Sequence, residues 1–433
     1  MHYLDETHIL VFLVQVFILL LCARGLGELF RRWKQPALTA EILVGVVLGP
    51  TLLGRFLPDV HRTLFPANAV QQSMLETVSW LGVLFLLLET GMEIDFSIAW
   101  RRRGSALTIA VADIVIPFAV AFAAVIFLPA TYLADPEKRV LFSLFMAAVM
   151  TISAMPVAAR ILREFNLLKV DLGFLTMSAL AVNDVIGWVL FTIILGVFTQ
   201  AAFAPAPVML VFAGTIAFAA LALTPRDLPE PSTSLTVTCL LGLLFGSLTQ
   251  KLGIHALFGF FIAGVVVGEA KSVSEETRSV ISQMVHAIFV PLFFANVGLK
   301  IDFLEHFDVG LVTLICVVGI AGRYAGAWSG VTLTRVPRVN RSLIAIAHTP
   351  GGMMEIVVSL LALEAGLITP AVFVAIVFSA VFSSVLMGPW MARSLARRAA
   401  ISPADFLGRK AVFPNLEAHS REEAIKHLAA GIA

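Results

Sequence analysis

Four carboxylic acids and one guanidinium stand inside runs of sequence that are otherwise apolar: Glu89, Asp113, Asp184, Glu355 and Arg323. Asp184 follows Asn183 in the stretch Leu180-Ala181-Val182-Asn183-Asp184-Val185-Ile186. Two other apolar runs are interrupted. One reads Met150-Thr151-Ile152-Ser153-Ala154-Met155-Pro156, the other His348-Thr349-Pro350-Gly351-Gly352-Met353-Met354-Glu355. A proline inside a helix removes one backbone hydrogen bond and clashes with the preceding turn. Freed carbonyls then join the hydroxyls of Thr151 and Ser153 in an oxygen-rich patch. With a carboxylate beside it, such a patch suits the holding of a proton or a small monovalent cation at Asp184. It does not suit bond breaking, since no nucleophile–base pair and no metal cluster is present. The sequence is therefore read as a non-enzyme without a cofactor. Arg323 cannot lose its proton, which makes it a permanent counter-charge. Asp113 is the first choice for its partner and Glu355 the second. His286 and His348 could titrate near neutral pH.

These groups need a setting, and the composition supplies it. Of 433 residues, 59% are hydrophobic and 14% are Asp, Glu, Lys or Arg, against roughly 45–50% and about 25% in an ordinary soluble chain. Such a surface must face lipid. Disordered and collagenous classes are excluded, and 30 basic against 29 acidic residues leave no excess charge for a nucleic acid. Cys22, Cys239 and Cys316 lie singly in apolar runs, with neither zinc spacing nor a disulfide framework. A crossing helix needs about 20 apolar residues. On that basis thirteen spans are expected, at 9–27, 38–55, 75–95, 105–128, 139–162, 173–198, 207–223, 233–250, 254–269, 279–299, 309–330, 341–364 and 369–392. Asp5 and Glu6 precede the first, so it reads as a retained helix and not a cleaved signal. Alternate loops carry 18 basic residues against 6 in the others, which predicts an outside N-terminus and a cytoplasmic C-terminus.

The third span ends Gly91-Met92-Glu93-Ile94-Asp95-Phe96 and the tenth ends Gly298-Leu299-Lys300-Ile301-Asp302-Phe303. The second span holds Gly45-Val46-Val47-Leu48-Gly49 and the ninth Gly264-Val265-Val266-Val267-Gly268. Both matches map a span onto the seventh one after it. Because seven is odd, the two six-helix halves enter the membrane in opposite directions. Inverted repeats with broken helices near the midplane are a signature of secondary transporters. The two interrupted spans, five and twelve, are themselves repeat partners.

The combination of Asn183-Asp184, the Thr151–Pro156 break, Gly91-Met92-Glu93-Ile94-Asp95 and Arg323-Tyr324-Ala325-Gly326-Ala327-Trp328 resembles the monovalent cation:proton antiporters. The nearest branch is that of the bacterial Kef-type and NapA-type exchangers, over nearly the whole chain to about residue 395. The resemblance implies an all-α polytopic membrane protein of the NhaA-like antiporter fold, with crossed broken helices. It implies a homodimer in the bacterial inner membrane, serving pH homeostasis. Spans one to three and eight to ten would form a dimerisation scaffold, and spans four to six and eleven to thirteen a core that moves like an elevator. Na⁺ or K⁺ and H⁺ would occupy Asp184 in turn, with Asn183, Thr151, Ser153, Met155 and a span-three acid, Glu89, around it. Pro156, Pro350, Gly351 and Gly352 would shape the breaks, and Arg323, Asp113 and Glu355 would balance charge. Asn183 and Arg323 replace the second Asp and the Lys of electrogenic members, which implies electroneutral exchange.

The division expected is a membrane part over 1–395 and a cytoplasmic tail over 396–433. Within the tail, Phe413–Ile425 resembles the opening of an EIIA-type regulatory domain and so suggests a cytoplasmic regulator. Two other readings compete. A sodium-coupled organic-anion carrier of the same fold should be richer in polar residues at the crossing and lack the Asn-Asp pair. A gated channel should pass ions without counter-transport.

Overall fold

In lipid a backbone has to satisfy its own hydrogen bonds, and this chain does so with helices. The computed structural model describes residues 5–32, 35, 37–93, 103–198, 231–252, 255–269 and 273–399. Among them the sole β feature is an isolated bridge between Leu133 and Ile368. Nine helices among the described residues are long and apolar enough to cross a membrane. Two of the remaining expected spans, 139–162 and 341–364, are each a pair of short helices. A third, 254–269, is one shorter apolar helix. The expected span 207–223 and the tail from residue 400 lie outside the described residues, so the count of thirteen is not established.

One set of helices comprises α1 (Glu6–Arg32), α2 (Ala37–Leu48), the short α3 (Leu53–Phe56) and α4 (Pro58–Leu64), and α5 (Ala69–Met92). After it in sequence comes a second set: α6 (Arg103–Val125), α7 (Arg139–Val149), α8 (Met155–Glu164) and α9 (Asp171–Phe198). Next come α10 (Pro231–Lys251), α11 (Ala256–Glu269) and α12 (Glu275–Met284), which runs through a π-turn at Val285–Phe289 into α13 (Val290–Lys300). These pack on the first set, α11 on α5 and α13 on α2. The chain closes with α14 (Val309–Thr332), α15 (Arg338–Ala347), α16 (Met353–Glu364) and α17 (Pro370–Ala399). Here α14 packs along α6 and against α15. Side chains of Leu10, Leu13, Phe17 and Leu21 on α1 are exposed, as an apolar lipid-facing stripe would be.

Small residues set the closest approaches. A Cβ on Gly45 would lie 2.8 Å from the Cα of Gly298, and one on Gly264 would lie 3.0 Å from the Cα of Gly91. Helices α2 and α13 therefore meet backbone to backbone, and so do α11 and α5. Such contacts are how membrane helices gain van der Waals packing without a hydrophobic drive. Helix ends are closed by local polar groups. Asn68 accepts from the Val70 amide at 2.9 Å, and Asp308 accepts from Leu311 at 2.8 Å. The Leu311 amide, then the Tyr132 hydroxyl at 2.8 Å, hold the Asp308 carboxyl below the usual range.

Helices α8 and α16 stop in the same way. Asn166 (φ 55°) and Gly366 (φ 74°) are left-handed residues just past the two ends. The following amides reach back, Leu167 to the Leu162 carbonyl at 2.7 Å and Leu367 to the Ala362 carbonyl at 2.8 Å. This is the Schellman closure, in which Gly or Asn accepts the left-handed conformation at least cost.

Candidate functional site

The first break covers residues 150–154, between α7 and α8, and the second covers 348–352, between α15 and α16. Each is a short non-helical strap with Pro156 opening α8 and Pro350 inside the second strap. The two straps touch. The Ala154 amide donates to the Pro350 carbonyl at 2.8 Å, and the Ser153 hydroxyl donates to the His348 carbonyl at 2.7 Å. Each strap thus satisfies polar groups that the other's break released, as buried backbone requires. Gly352 permits this, since a Cβ there would collide with the side chain of Ala154. The second strap is also tied to α17, where Ser383 accepts from the Gly351 amide at 2.9 Å and Ser384 donates to the Gly351 carbonyl at 2.8 Å.

Asp184 lies in α9 and is 2% exposed. Neither of its carboxylate oxygens has a hydrogen-bond partner. Beside it Asn183, fully buried, donates to Asp113 at 3.0 Å and to the Thr151 carbonyl at 3.4 Å, which ties α9 to α6 and to the first strap. Its amide oxygen is unpartnered. Thr151 donates to the Ala147 carbonyl at 2.6 Å, so its oxygen lone pairs stay available. Met155 is buried at the start of α8.

Arg323, on α14, is buried completely and sits 3.3 Å from Glu355 on α16. The same guanidinium nitrogen donates to the Ile152 carbonyl at 2.9 Å. The arginine therefore neutralises a buried acid and also caps a carbonyl that the break in span five leaves free. This corrects the order of partners expected from sequence: Glu355 takes the ion pair, and the hydrogen bond of Asp113 is to Asn183. Glu355 folds back over the second strap, where a Cβ on Gly351 would collide with its carboxylate. His348 is held by its own helix, Nδ1 lying 2.8 Å from the Ile344 carbonyl.

Glu89 stands apart from the expectation. It is 6% exposed and engages His286 on the π-turn at 3.3 Å. The acid whose charge acts on Asp184 is Glu93, at the end of the same helix. Glu89, His286 and Arg163 in turn act electrostatically on Glu93. In the sequence Glu93 stands out as part of the Gly91–Phe96 repeat and of the motif shared with the antiporters, with no role of its own. Its position one turn after Glu89 was the available signal.

This arrangement has one chemical consequence. A carboxylate removed from water without donors is costly, and either a proton or a cation removes the cost. No group of three or more His, Cys, Asp or Glu that could hold a multivalent metal exists among the described residues.

Comparison with known proteins covers the stretch of chain that holds these residues. The family model described as "Sodium/hydrogen exchanger, transmembrane" matches residues 16–397. The chain is 29% identical over 413 residues to Cation/H(+) antiporter 17 of Arabidopsis thaliana, covering 92% of this chain and 50% of that protein. It is 27% identical over 402 residues to the Na(+)/H(+) antiporter NhaS4 of Synechocystis, covering 89% and 97%. The chain thus spans about half the length of the plant relatives it matches. Among solved structures, the sodium proton antiporter MjNhaP1 of Methanocaldococcus jannaschii superposes with a TM-score of 0.64 at 16% identity, over 91% of this chain and 99% of that one. That likeness speaks for the fold alone.

Proposed function

We infer the activity starting from one fact: the chain belongs to the sodium/hydrogen exchanger family and is a multi-pass membrane protein. The function proposed is antiport of a monovalent cation, Na⁺ or K⁺, against H⁺ at Asp184. The observation that carries it is the bare carboxylate, 2% exposed with neither oxygen bonded, next to Asn183, whose amide reaches the Thr151 carbonyl of the first strap. In one state a proton neutralises Asp184. In the other a cation does so, and the amide oxygen of Asn183 and the oxygens of Thr151 and Ser153 could complete its shell. The two ions compete for one group, and that competition couples their fluxes.

The proposal extends to alternating access by an inverted repeat. Two observations support it. The Gly45–Gly298 contact and the Gly264–Gly91 contact exchange places when span n is mapped onto span n+7. The paired left-handed closures after α8 and α16 fall at corresponding places in spans five and twelve. On this reading the set containing α1, α2, α5 and α10–α13 is a scaffold at which two copies meet. The set containing α6–α9 and α14–α16, with the last span, carries Asp184 across the membrane as an elevator. The basic loops then face the cytoplasm across an inner membrane.

Cation-dependent proton flux in proteoliposomes, with Na⁺, K⁺ and Li⁺ in turn, tests the proposal. Flux with at least one of Na⁺ and K⁺, abolished by Asp184→Asn in a protein that still purifies folded, is the expected result. Retained cation-driven proton flux in Asp184→Asn would refute it.

A further inference from the structure

The proposed elevator needs something to hold each end state, and the charged residues at the ends of spans three, five, ten and twelve meet that need in pairs. At one end of the molecule Lys300, the last residue of α13, is joined to Glu76 of α5 and lies 3.5 Å from Glu364, the last residue of α16. Glu76 and Lys300 belong to the proposed scaffold, and Glu364 to the proposed core. The Lys300–Glu364 pair therefore crosses the boundary at which the two would slide. Below it a cleft lined by Trp80, Phe293 and Leu360 has room for about one water. Phe293 and Leu360 are buried there as an apolar plug. The Gly366 closure fixes where α16 ends and so holds Glu364 in place.

At the other end the repeat puts Glu93 where Lys300 stands, because Gly91-Met92-Glu93 aligns with Gly298-Leu299-Lys300. On the core side of that end stands Arg163, in the last turn of α8; the residue that the two closures match to Glu364 is Glu164, which pairs with Arg160 of its own helix at 3.3 Å. The signs are reversed: scaffold cation to core acid at one end, scaffold acid to core cation at the other. In this structure the two ends differ. Lys300 and Glu364 are in contact, whereas Glu93 and Arg163 interact electrostatically without an ion-pair contact between them.

We propose that Lys300–Glu364 and Glu93–Arg163 are two alternating charge latches between scaffold and core, one closed in each end state. By the basic-residue orientation the closed latch is the outer one, so this structure is the inward-facing state. When the core moves, the outer pair parts and Arg163 reaches Glu93. This inference rests on the elevator reading, so its test must not depend on transport.

The three native cysteines are replaced by Ser, and Leu360→Cys reports access behind the outer latch, with Phe293→Cys on the facing helix as a second reporter. Intact cells are treated from outside with a membrane-impermeant maleimide. Half-exposed ion pairs are weak, so the shift in labelling rate is modest, roughly two- to fivefold. Glu364→Gln should raise labelling by that factor and Arg163→Gln should lower it. In a Glu76→Gln background, which removes the acid that a carboxylate at position 300 would otherwise meet, the exchanged pair Lys300→Glu with Glu364→Lys should return labelling toward the value of that background. Unchanged labelling in Glu364→Gln, a rise that the exchanged pair fails to reverse, or no opposite shift in Arg163→Gln overturns the latches. Exchange is measured separately on the parent: labelling that shifts as stated in a protein without cation–proton exchange would keep the latches and remove the antiport reading.

Discussion

Arg323 illustrates how one buried charge can serve two structural needs. It lies 3.3 Å from Glu355 and 2.9 Å from the Ile152 carbonyl, at complete burial. Removing one partner of a buried pair costs roughly 3–5 kcal/mol, because the other charge is left uncompensated. Arg323→Ala should therefore lower thermal stability by about that amount, and adding Glu355→Gln should restore part of it. A double-mutant cycle measures the coupling, and the same cycle with Asp113→Asn should give a smaller value. The presence of these groups was legible in the sequence, because an ionisable residue in an apolar run is conspicuous. Their pairing was not. Which of two acids meets Arg323 depends on how the helices that carry them are turned toward it, and that is set by the tertiary fold. The same limit applies to Glu89 and Glu93, one turn apart on α5, of which the first faces His286 and the second acts on Asp184.

Among the elements, the two breaks were plain in the sequence because Pro156, Pro350 and the Gly351-Gly352 pair have no place in an unbroken helix. What the sequence did not announce is that each strap completes the other's hydrogen bonds, Ala154 to Pro350 and Ser153 to His348. Gly352→Val should push the straps apart, since any Cβ there meets Ala154. The expected outcome is loss of exchange together with a destabilisation of about 1–3 kcal/mol, as for other overpacked cores, read from thermal unfolding in detergent. The glycine motifs at 45–49 and 264–268 were legible as a repeat but not as contacts. A pattern reports that small residues recur, while the partner helix is set by the tertiary fold. Gly45→Leu should disturb α2 against α13 and Gly264→Leu α11 against α5, each lowering stability by a similar amount.

For the whole molecule, the proposed cycle moves one proton or one monovalent cation on a single carboxylate. Asn183 cannot ionise, and Arg323 stays charged in its pair with Glu355. The exchange should accordingly be electrically silent. Moving a net charge through 100 mV is worth about 2.3 kcal/mol, so an electrogenic cycle would visibly shift the cation distribution at equilibrium. With the membrane potential clamped at two values, that distribution should be the same, and a shift would point to a second titrating acid, Glu93 before Glu89. Membrane class was readable from composition alone. The number of spans was readable only as an expectation, since 207–223 lies outside the described residues.

The central claim is that proton and cation share Asp184, and proton release on cation binding tests it most directly. Purified protein in weak buffer is titrated with NaCl and with KCl while the pH is followed, at a pH where the carboxyl is protonated before binding. The account predicts release of about one proton for each cation bound, by linkage between the two ligands, and neither release nor binding in Asp184→Asn. Cation binding without proton release, or proton release that survives in Asp184→Asn, would contradict it.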